Sequence, residues 1–325
     1  MLDFIYLIGG IFVIIISANW LVAGASSLAR KFGISDIVVG LTIVAFGTSA
    51  PELTVNIFSA IKGSTDIAIG NVLGSNISNI LLILGITCIV NPVEILTNTK
   101  WKEIPLSLLA VIVIGIMSND LFIDNSSSGN LISRADGLVL LCFMAIFMVY
   151  TFEMAKRQSQ DFPVDAISPS KTEKVIPVWK ALLFILIGIG GLFLGGKYLV
   201  EGAVSIAKVL GMSEKVIGLT IIAIGTSLPE LATSVVAAYK KNADIAVGNI
   251  VGSNIFNIFF VLGTTSVIRP LPFNVSINFD IMVAVIASLL LFLTTVTFKA
   301  KRIDRIEGVI FLVIYTGYIT YSIIK

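Results

Sequence analysis

Apolar residues recur along this chain in long runs separated by short polar stretches, at about 4–26, 37–60, 67–90, 104–118, 137–153, 178–203, 215–238, 245–268, 279–297 and 307–324. Most are long enough to cross roughly 30 Å of hydrocarbon as a helix. The fourth is the shortest, interrupted by Asn119 and Asp120 before the polar stretch 124–130. Ten such runs predict an all-α polytopic membrane protein with ten transmembrane helices.

The pattern repeats. Residues 40–85 and 218–263 align without a gap at an offset of 178 and agree at 26 of 46 positions. Upstream, Leu21-Val22 and Gly24-Ala25 recur as Leu199-Val200 and Gly202-Ala203, and runs one to five map onto runs six to ten. A tandem duplication of a five-helix unit follows, with an N-terminal repeat at 1–155, a polar linker at 156–177 and a C-terminal repeat at 178–325. Because five is odd, equivalent helices cross the membrane in opposite directions, which is the inverted-topology arrangement of many secondary transporters. A binding site near the midplane, shared by both halves, is the expected consequence.

Composition agrees with the pattern: 56% of residues are hydrophobic and 13% charged, with a mean hydropathy of +1.00, far from soluble averages. The net charge of +2 points to neither nucleic acid nor an acidic partner, and no protein partner is predicted beyond the lipid bilayer. One set of loops carries fifteen Lys and Arg, among them Arg30, Lys31, Lys100 and Lys102, and the other set, including the C-terminus, carries six. The positive-inside rule then places both termini outside a plasma membrane and the 156–177 linker in the cytoplasm. The N-terminus lacks a basic n-region and is expected to remain as the first span.

Chemistry enters with two misplaced charges. Glu52 and Glu230 stand at equivalent positions inside apolar runs, where a carboxylate costs about 2.5 to 3.5 kcal/mol on insertion scales. Neither run offers a basic partner near its Glu, Lys215 standing at the edge of the seventh run. Each Glu follows a proline in Gly47-Thr48-Ser49-Ala50-Pro51-Glu52 and Gly225-Thr226-Ser227-Leu228-Pro229-Glu230. Proline removes a helical N–H and clashes with the carbonyl four residues back, so a kink is predicted there, freeing carbonyls at about 45–47 and 223–225. Thr48 and Ser49 share the helix face of Glu52. In the following run Asn71, Ser75 and Asn79 form one stripe, and Asn249, Ser253 and Asn257 form its copy; Asn76 and Asn254 lie about 100° off that stripe and are expected to cap or bridge the kink. Runs two, three, seven and eight are therefore expected to be broken helices.

Carboxylates, hydroxyls, amides and carbonyls make an oxygen-only donor set, which suits Ca2+ and Na+ better than Mg2+. The chain has no histidine, and Cys88 and Cys142 lie in apolar runs without metal spacing, so neither a transition-metal site nor a disulfide framework is indicated. No enzymatic activity and no cofactor are expected. Two formal negative charges balance one Ca2+ or two Na+, and competition for common oxygens couples them.

The paired G-T-S-x-P-E and G-N-x-x-G-S-N-x-x-N motifs resemble the alpha repeats of the calcium/cation antiporter superfamily, and over its full length the chain is similar to the prokaryotic sodium/calcium exchangers. The resemblance implies ligands from spans two, three, seven and eight, with spans one and six moving as a gate in alternating access. Residue by residue it implies Thr48, Ser49, Glu52, Ser75 and Asn79, with Thr226, Ser227, Glu230, Ser253 and Asn257, plus the carbonyls of Ala45 and Ala223. Proton-coupled relatives resemble G-N-x-x-E where this chain has G-T-S-x-P-E, and potassium-dependent relatives place Asp where it has Asn257. Both departures favour Na+/Ca2+ exchange over the alternative of H+/Ca2+ exchange within the same superfamily; a passive cation channel is the remaining class. The other charges read as local: Asp36, Asp66, Glu214 and Asp244 suit helix starts, and Lys197 and Glu201 an intrahelical pair.

Overall fold

The computed structural model describes residues 2–63, 65–123, 129–161, 176–210, 223–297 and 302–324. Apart from two short strand pairs it is helical throughout. Helix α1 (Leu2–Phe32) ends at Gly33, whose φ of 63° reverses the chain. Helix α2 (Asp36–Thr48) and α3 (Ala50–Lys62) together make one apolar segment bent by 43° at Ser49. Pro51 sits in the first turn of α3 and Ser49 has φ −83°, ψ 5°, so the predicted proline break occurs one turn before Glu52.

Helix α4 runs from Thr65 to Ser78, widens into a π-helical turn at Asn79–Ile83 and continues as Leu84–Val90. The third run is therefore continuous, not broken as expected. It contains no proline to remove a helical N–H, and at Asn79 the ladder widens into a π turn instead of being interrupted. Helix α5 opens on a π turn (Thr99–Glu103) and extends over Ile104–Met117; α6 is the single turn Asp120–Ile123 and α7 spans Arg134–Asp161.

The second half repeats the order. Helix α8 covers Val178–Val209, and α9 (Ala223–Thr226) meets α10 (Leu228–Tyr239) at Ser227, with φ −86°, ψ 5° and Pro229 in the first turn. Helix α11 covers Ala243–Ile255, a π turn at Phe256–Leu262 and Gly263–Ile268, so the eighth run is also continuous. Helices α12 (Asn278–Thr297) and α13 (Arg305–Ile324) follow. Residues 211–222, the start of the expected seventh run, and Glu214 with them, lie outside the described residues, as does most of the linker.

Among the described residues seven helices are individually long and apolar enough to cross a membrane, and the bent α2–α3 pair makes an eighth segment. The short strands tie the halves together. β1 (Val93–Glu94) pairs antiparallel with β4 (Arg302–Ile303), and β2 (Leu131–Ile132) with β3 (Leu271–Pro272).

Burial sorts the helices into a centre and a shell. The apolar windows of α11 and α4 are 94% and 78% buried, against 33% for α1 and 28% for α8. Helices α1 and α8 pack along their length, at a distance that glycine sets: a Cβ on Gly10 would lie 2.8 Å from the Gly195 carbonyl, the small-residue contact that membrane helices use. Phe4, Ile5, Phe12, Leu186 and Leu194 face outward from this pair. At the centre α11 presses on α2, where a Cβ on Gly252 would sit 2.8 Å from both the Ala45 Cβ and the Leu41 carbonyl.

Candidate ion-binding site

The breaks at Ser49 and Ser227 and the π turns of α4 and α11 converge where α2–α3, α4, α9–α10 and α11 meet. Glu52 and Glu230, one turn past each break, are both fully buried. Glu230 Oε1 accepts from Ser49 Oγ at 3.0 Å and from Ser253 Oγ at 3.4 Å. The Thr226 and Ser75 hydroxyls lie toward Glu52, but neither of its carboxylate oxygens has a hydrogen bond of ordinary geometry among the described residues.

Hydroxyls cross between the halves. Thr48 donates to Asn249 Oδ1 at 3.0 Å and Thr226 to Asn71 Oδ1 at 3.3 Å, equivalent pairs 178 residues apart. Ser227 donates to Ser75 at 3.2 Å. Asn257 Nδ2 donates to Ser75 Oγ and to Asn76 Oδ1, each at 3.1 Å, and Asn79 Nδ2 to Asn254 Oδ1 at 2.9 Å. What remains is uniform in character: Glu52 Oε1 and Oε2, Glu230 Oε2, Asn79 Oδ1 and Asn257 Oδ1 are buried oxygens without a donor among the described residues. Buried acceptors without donors are rare and costly, and an assembly of carboxylate and amide oxygens is what a hard cation replaces its water with. No group of three or more His, Cys, Asp or Glu occurs among the described residues, so two carboxylates carry the formal charge.

Of the side chains the sequence singled out, Thr48, Ser49, Glu52, Ser75, Asn79, Thr226, Ser227, Glu230, Ser253 and Asn257 are drawn into this one network. Ala45 departs from expectation. Its carbonyl accepts from the Ser49 N–H at 3.0 Å and from Thr48 Oγ1 at 3.3 Å, so it stays in the helical ladder, because proline at 51 removes its own N–H and not that of Ser49. Ala223 opens α9, and no hydrogen bond of its carbonyl beyond the helix is described. Asn76 and Asn254 do not cap the kinks; they bridge α4 and α11, Asn76 Nδ2 donating to the Asn254 carbonyl at 3.1 Å and Asn254 Nδ2 to the Asn76 carbonyl at 3.4 Å.

Several residues escaped the sequence reading. Asn56 accepts from Asn71 at 2.9 Å, and its counterpart Ser234 accepts from Asn249 at 3.0 Å. Thr233, three residues after Glu230, is fully buried and its hydroxyl has no partner among the described residues. Its counterpart is Val55, so comparing the copies hid it; a fixed i+3 spacing from the Glu was the available signal. At the start of α11 the cap is Asn242, which accepts from the Ile245 N–H and donates to Asp36, and not Asp244. The expected Lys197–Glu201 pair is present at 3.8 Å, and it lines, with Pro51, Gly225, Thr226 and Pro229, a cavity of about 330 Å3 between α8 and the two breaks.

The sodium/calcium exchanger protein family profile matches residues 2–153 and 180–324. The chain belongs to that family. It is 41% identical to the putative antiporter CaxA of Alkalimonas amylolytica, over 97% of this chain and 96% of that one. To the sodium/calcium exchanger MaX1 of Methanosarcina acetivorans it is 30% identical over 98% and 97%. The fold matches a solved structure of the sodium-calcium exchanger NCX_Mj, soaked with Na+ and Sr2+, at a TM-score of 0.82 and 33% identity, covering 98% of this chain and 99% of that one. The resemblance read from the two motifs is thus borne out over nearly the whole length. As an exchanger of this family the protein is a multi-pass membrane antiporter whose transported ions are Na+ and Ca2+, and the oxygen network at its centre has the chemistry those ions require.

Proposed function

We propose that the exchanger moves Na+ against Ca2+ by alternating access around the buried oxygens of Glu52, Glu230, Asn79 and Asn257. Thr48, Ser49, Ser75, Thr226, Ser227 and Ser253 complete the ion ligands, and the Ala45 and Ala223 carbonyls join when the breaks open. The five donorless oxygens are the observation that carries this reading. Ca2+ takes six to eight oxygens in a flexible shell, which two carboxylates, two amides and the surrounding hydroxyls supply. Na+ ions draw on the same oxygens, so the two species exclude one another and each must leave before the other binds.

In this reading ten spans form two five-helix repeats, 1–155 and 178–325, of opposite orientation, joined by a cytoplasmic linker at 156–177. The recurrence of β1 as β3 at the same offset of 178 and of the break at Ser49 as Ser227 supports it. Both termini lie outside the plasma membrane, on the face toward which α3 runs from Glu52. The cavity beside Pro51 and Thr226 lies on that side of the site, while α11 closes on α2 on the other through Gly252. The α1–α8 pair, packed along its length on itself and against the breaks through Ile189 and Val200, slides across the central helices to change access.

Vesicles reconstituted with the protein and loaded with Na+ are expected to take up labelled Ca2+ far faster than vesicles without a gradient. A pH gradient that drives equal uptake in the absence of Na+ would replace Na+ by H+ in this scheme, and steady current without a counter-ion would make the protein a channel.

A further inference from the structure

We infer that Asn76 and Asn254 are positioning residues that fix which end of the Asn257 and Asn79 side-chain amides faces a bound cation. The inference rests on the reading of Asn79 and Asn257 as ion ligands and deepens it.

An asparagine amide is nearly symmetrical in shape, with a donating nitrogen and an accepting oxygen that exchange places on a half turn. A ligand asparagine is useful to a cation only with the oxygen inward, so something must forbid the flip. Here the constraint starts from groups that cannot flip. The backbone carbonyl of Asn254 only accepts, and it receives Asn76 Nδ2 at 3.1 Å. That contact turns Asn76 Oδ1 toward Asn257, whose Nδ2 donates to it at 3.1 Å. Asn257 Oδ1 is thereby the end left without a partner.

The second chain runs the same way in reverse. The Asn76 carbonyl receives Asn254 Nδ2 at 3.4 Å, and Asn254 Oδ1 accepts Asn79 Nδ2 at 2.9 Å, leaving Asn79 Oδ1 as the donorless atom. All four side chains are at most 2% exposed, so no bulk water compensates an inverted amide. Turning Asn257 over would set two acceptor oxygens about 3.1 Å apart and aim an NH2 group at the cation, losing a buried hydrogen bond and a ligand together.

The same logic makes Asn76 a reader of position 257. An aspartate there has no N–H to give, and its carboxylate would confront Asn76 Oδ1. Asn76 cannot turn to oblige without abandoning the Asn254 carbonyl. The arrangement therefore favours a neutral amide at 257, and residues 76 and 257 should behave as a coupled pair.

The test is Na+-driven uptake of labelled Ca2+ by the full-length protein in vesicles, titrated with Ca2+. Asn76→Ala and Asn254→Ala are each expected to raise KM for Ca2+ about 10-fold, the scale on which groups orienting a metal ligand act, and to raise it by a larger factor than they lower Vmax. Asn257→Asp should alter KM by a factor at least about 5 different in an Asn76→Ala background than in the wild type. Should either alanine variant fail to give a monodisperse protein, Asn76→Leu or Asn254→Leu, of similar volume, carries the same expectation. Unchanged KM in these variants, or independent effects in the 76/257 cycle, would overturn the positioning role. The parent reading fails separately: if Asn79→Ala and Asn257→Ala themselves leave KM unchanged, neither residue is a ligand and there is nothing to position.

Discussion

The surroundings of Glu52 and Glu230 differ although the motifs that carry them match. Glu230 has one oxygen held by Ser49 and Ser253, whereas both oxygens of Glu52 lack a donor among the described residues. The symmetric partner of Ser49 is Ser227, and Ser227 donates to Ser75 instead of to Glu52. Below the carboxylates the symmetry returns, since Asn76 and Asn254 exchange equivalent bonds and hold Asn257 and Asn79 equivalently. The site thus combines an even exchange of amide bonds by Asn76 and Asn254 with an uneven pair of carboxylates, and Asn257 adds a bond to Ser75. A duplicated sequence supplies equal parts, and a single conformation of a carrier uses them unequally. The glycine that opens each G-T-S-x-P-E motif shows the same thing, because α8 covers both: a Cβ on Gly47 would meet Ile189 and one on Gly225 would meet Val200.

The strongest way to break this comparison is to remove charge from each side in turn. Glu52→Gln and Glu230→Gln are each expected to lower Na+-driven Ca2+ uptake by more than about 100-fold, beyond what loss of an orienting group costs, while the protein remains monodisperse. If either variant transports normally, that carboxylate is not a ligand and the pair is not a pair.

A smaller contrast separates the serines. Ser49→Ala removes a hydrogen bond to a carboxylate and Ser227→Ala a hydrogen bond between hydroxyls, interactions worth about 1.5–3 and 0.5–1.5 kcal/mol respectively. Ca2+ affinity measured by titration should fall about 10-fold or more for Ser49→Ala and several-fold less for Ser227→Ala. Equal losses would mean that the unevenness is exchanged between the halves too often to matter.

Gly252→Ala probes the contact of α11 with α2. The new methyl would meet the Leu41 carbonyl, which has no flexible end to move, so a loss of about 1–3 kcal/mol is expected, read as a lower unfolding temperature in detergent. The mildest change concerns the cavity wall. The Lys197–Glu201 pair is half-exposed, and such pairs contribute little to stability. Glu201→Gln should leave the unfolding temperature unchanged and raise KM for Ca2+ about two-fold at low ionic strength, an effect that salt removes.

Much of the site was legible because a buried charge and a proline are conspicuous in an apolar run. Glu52, Glu230, Pro51 and Pro229 announced both the break and the chemistry, and the asparagine stripe followed from helical spacing. The expectation of broken third and eighth helices did not hold, because a π turn leaves no residue type as its mark. Ala45 stayed in its ladder for a reason that turns on a single N–H. Asn56, Ser234 and Thr233 were missed since their roles depend on which helix lies opposite, and all three differ in type between the copies.

By itself the sequence determined the membrane environment, the duplication and the oxygen-only donor set, because hydropathy, repetition and residue type are local properties. Tertiary structure decided which oxygens are left without donors. That outcome depends on how α4 and α11 cross and on which amide end a neighbour's backbone carbonyl will accept, and hydrogen bonds between residues 178 or more positions apart leave no trace in the spacing of either helix alone.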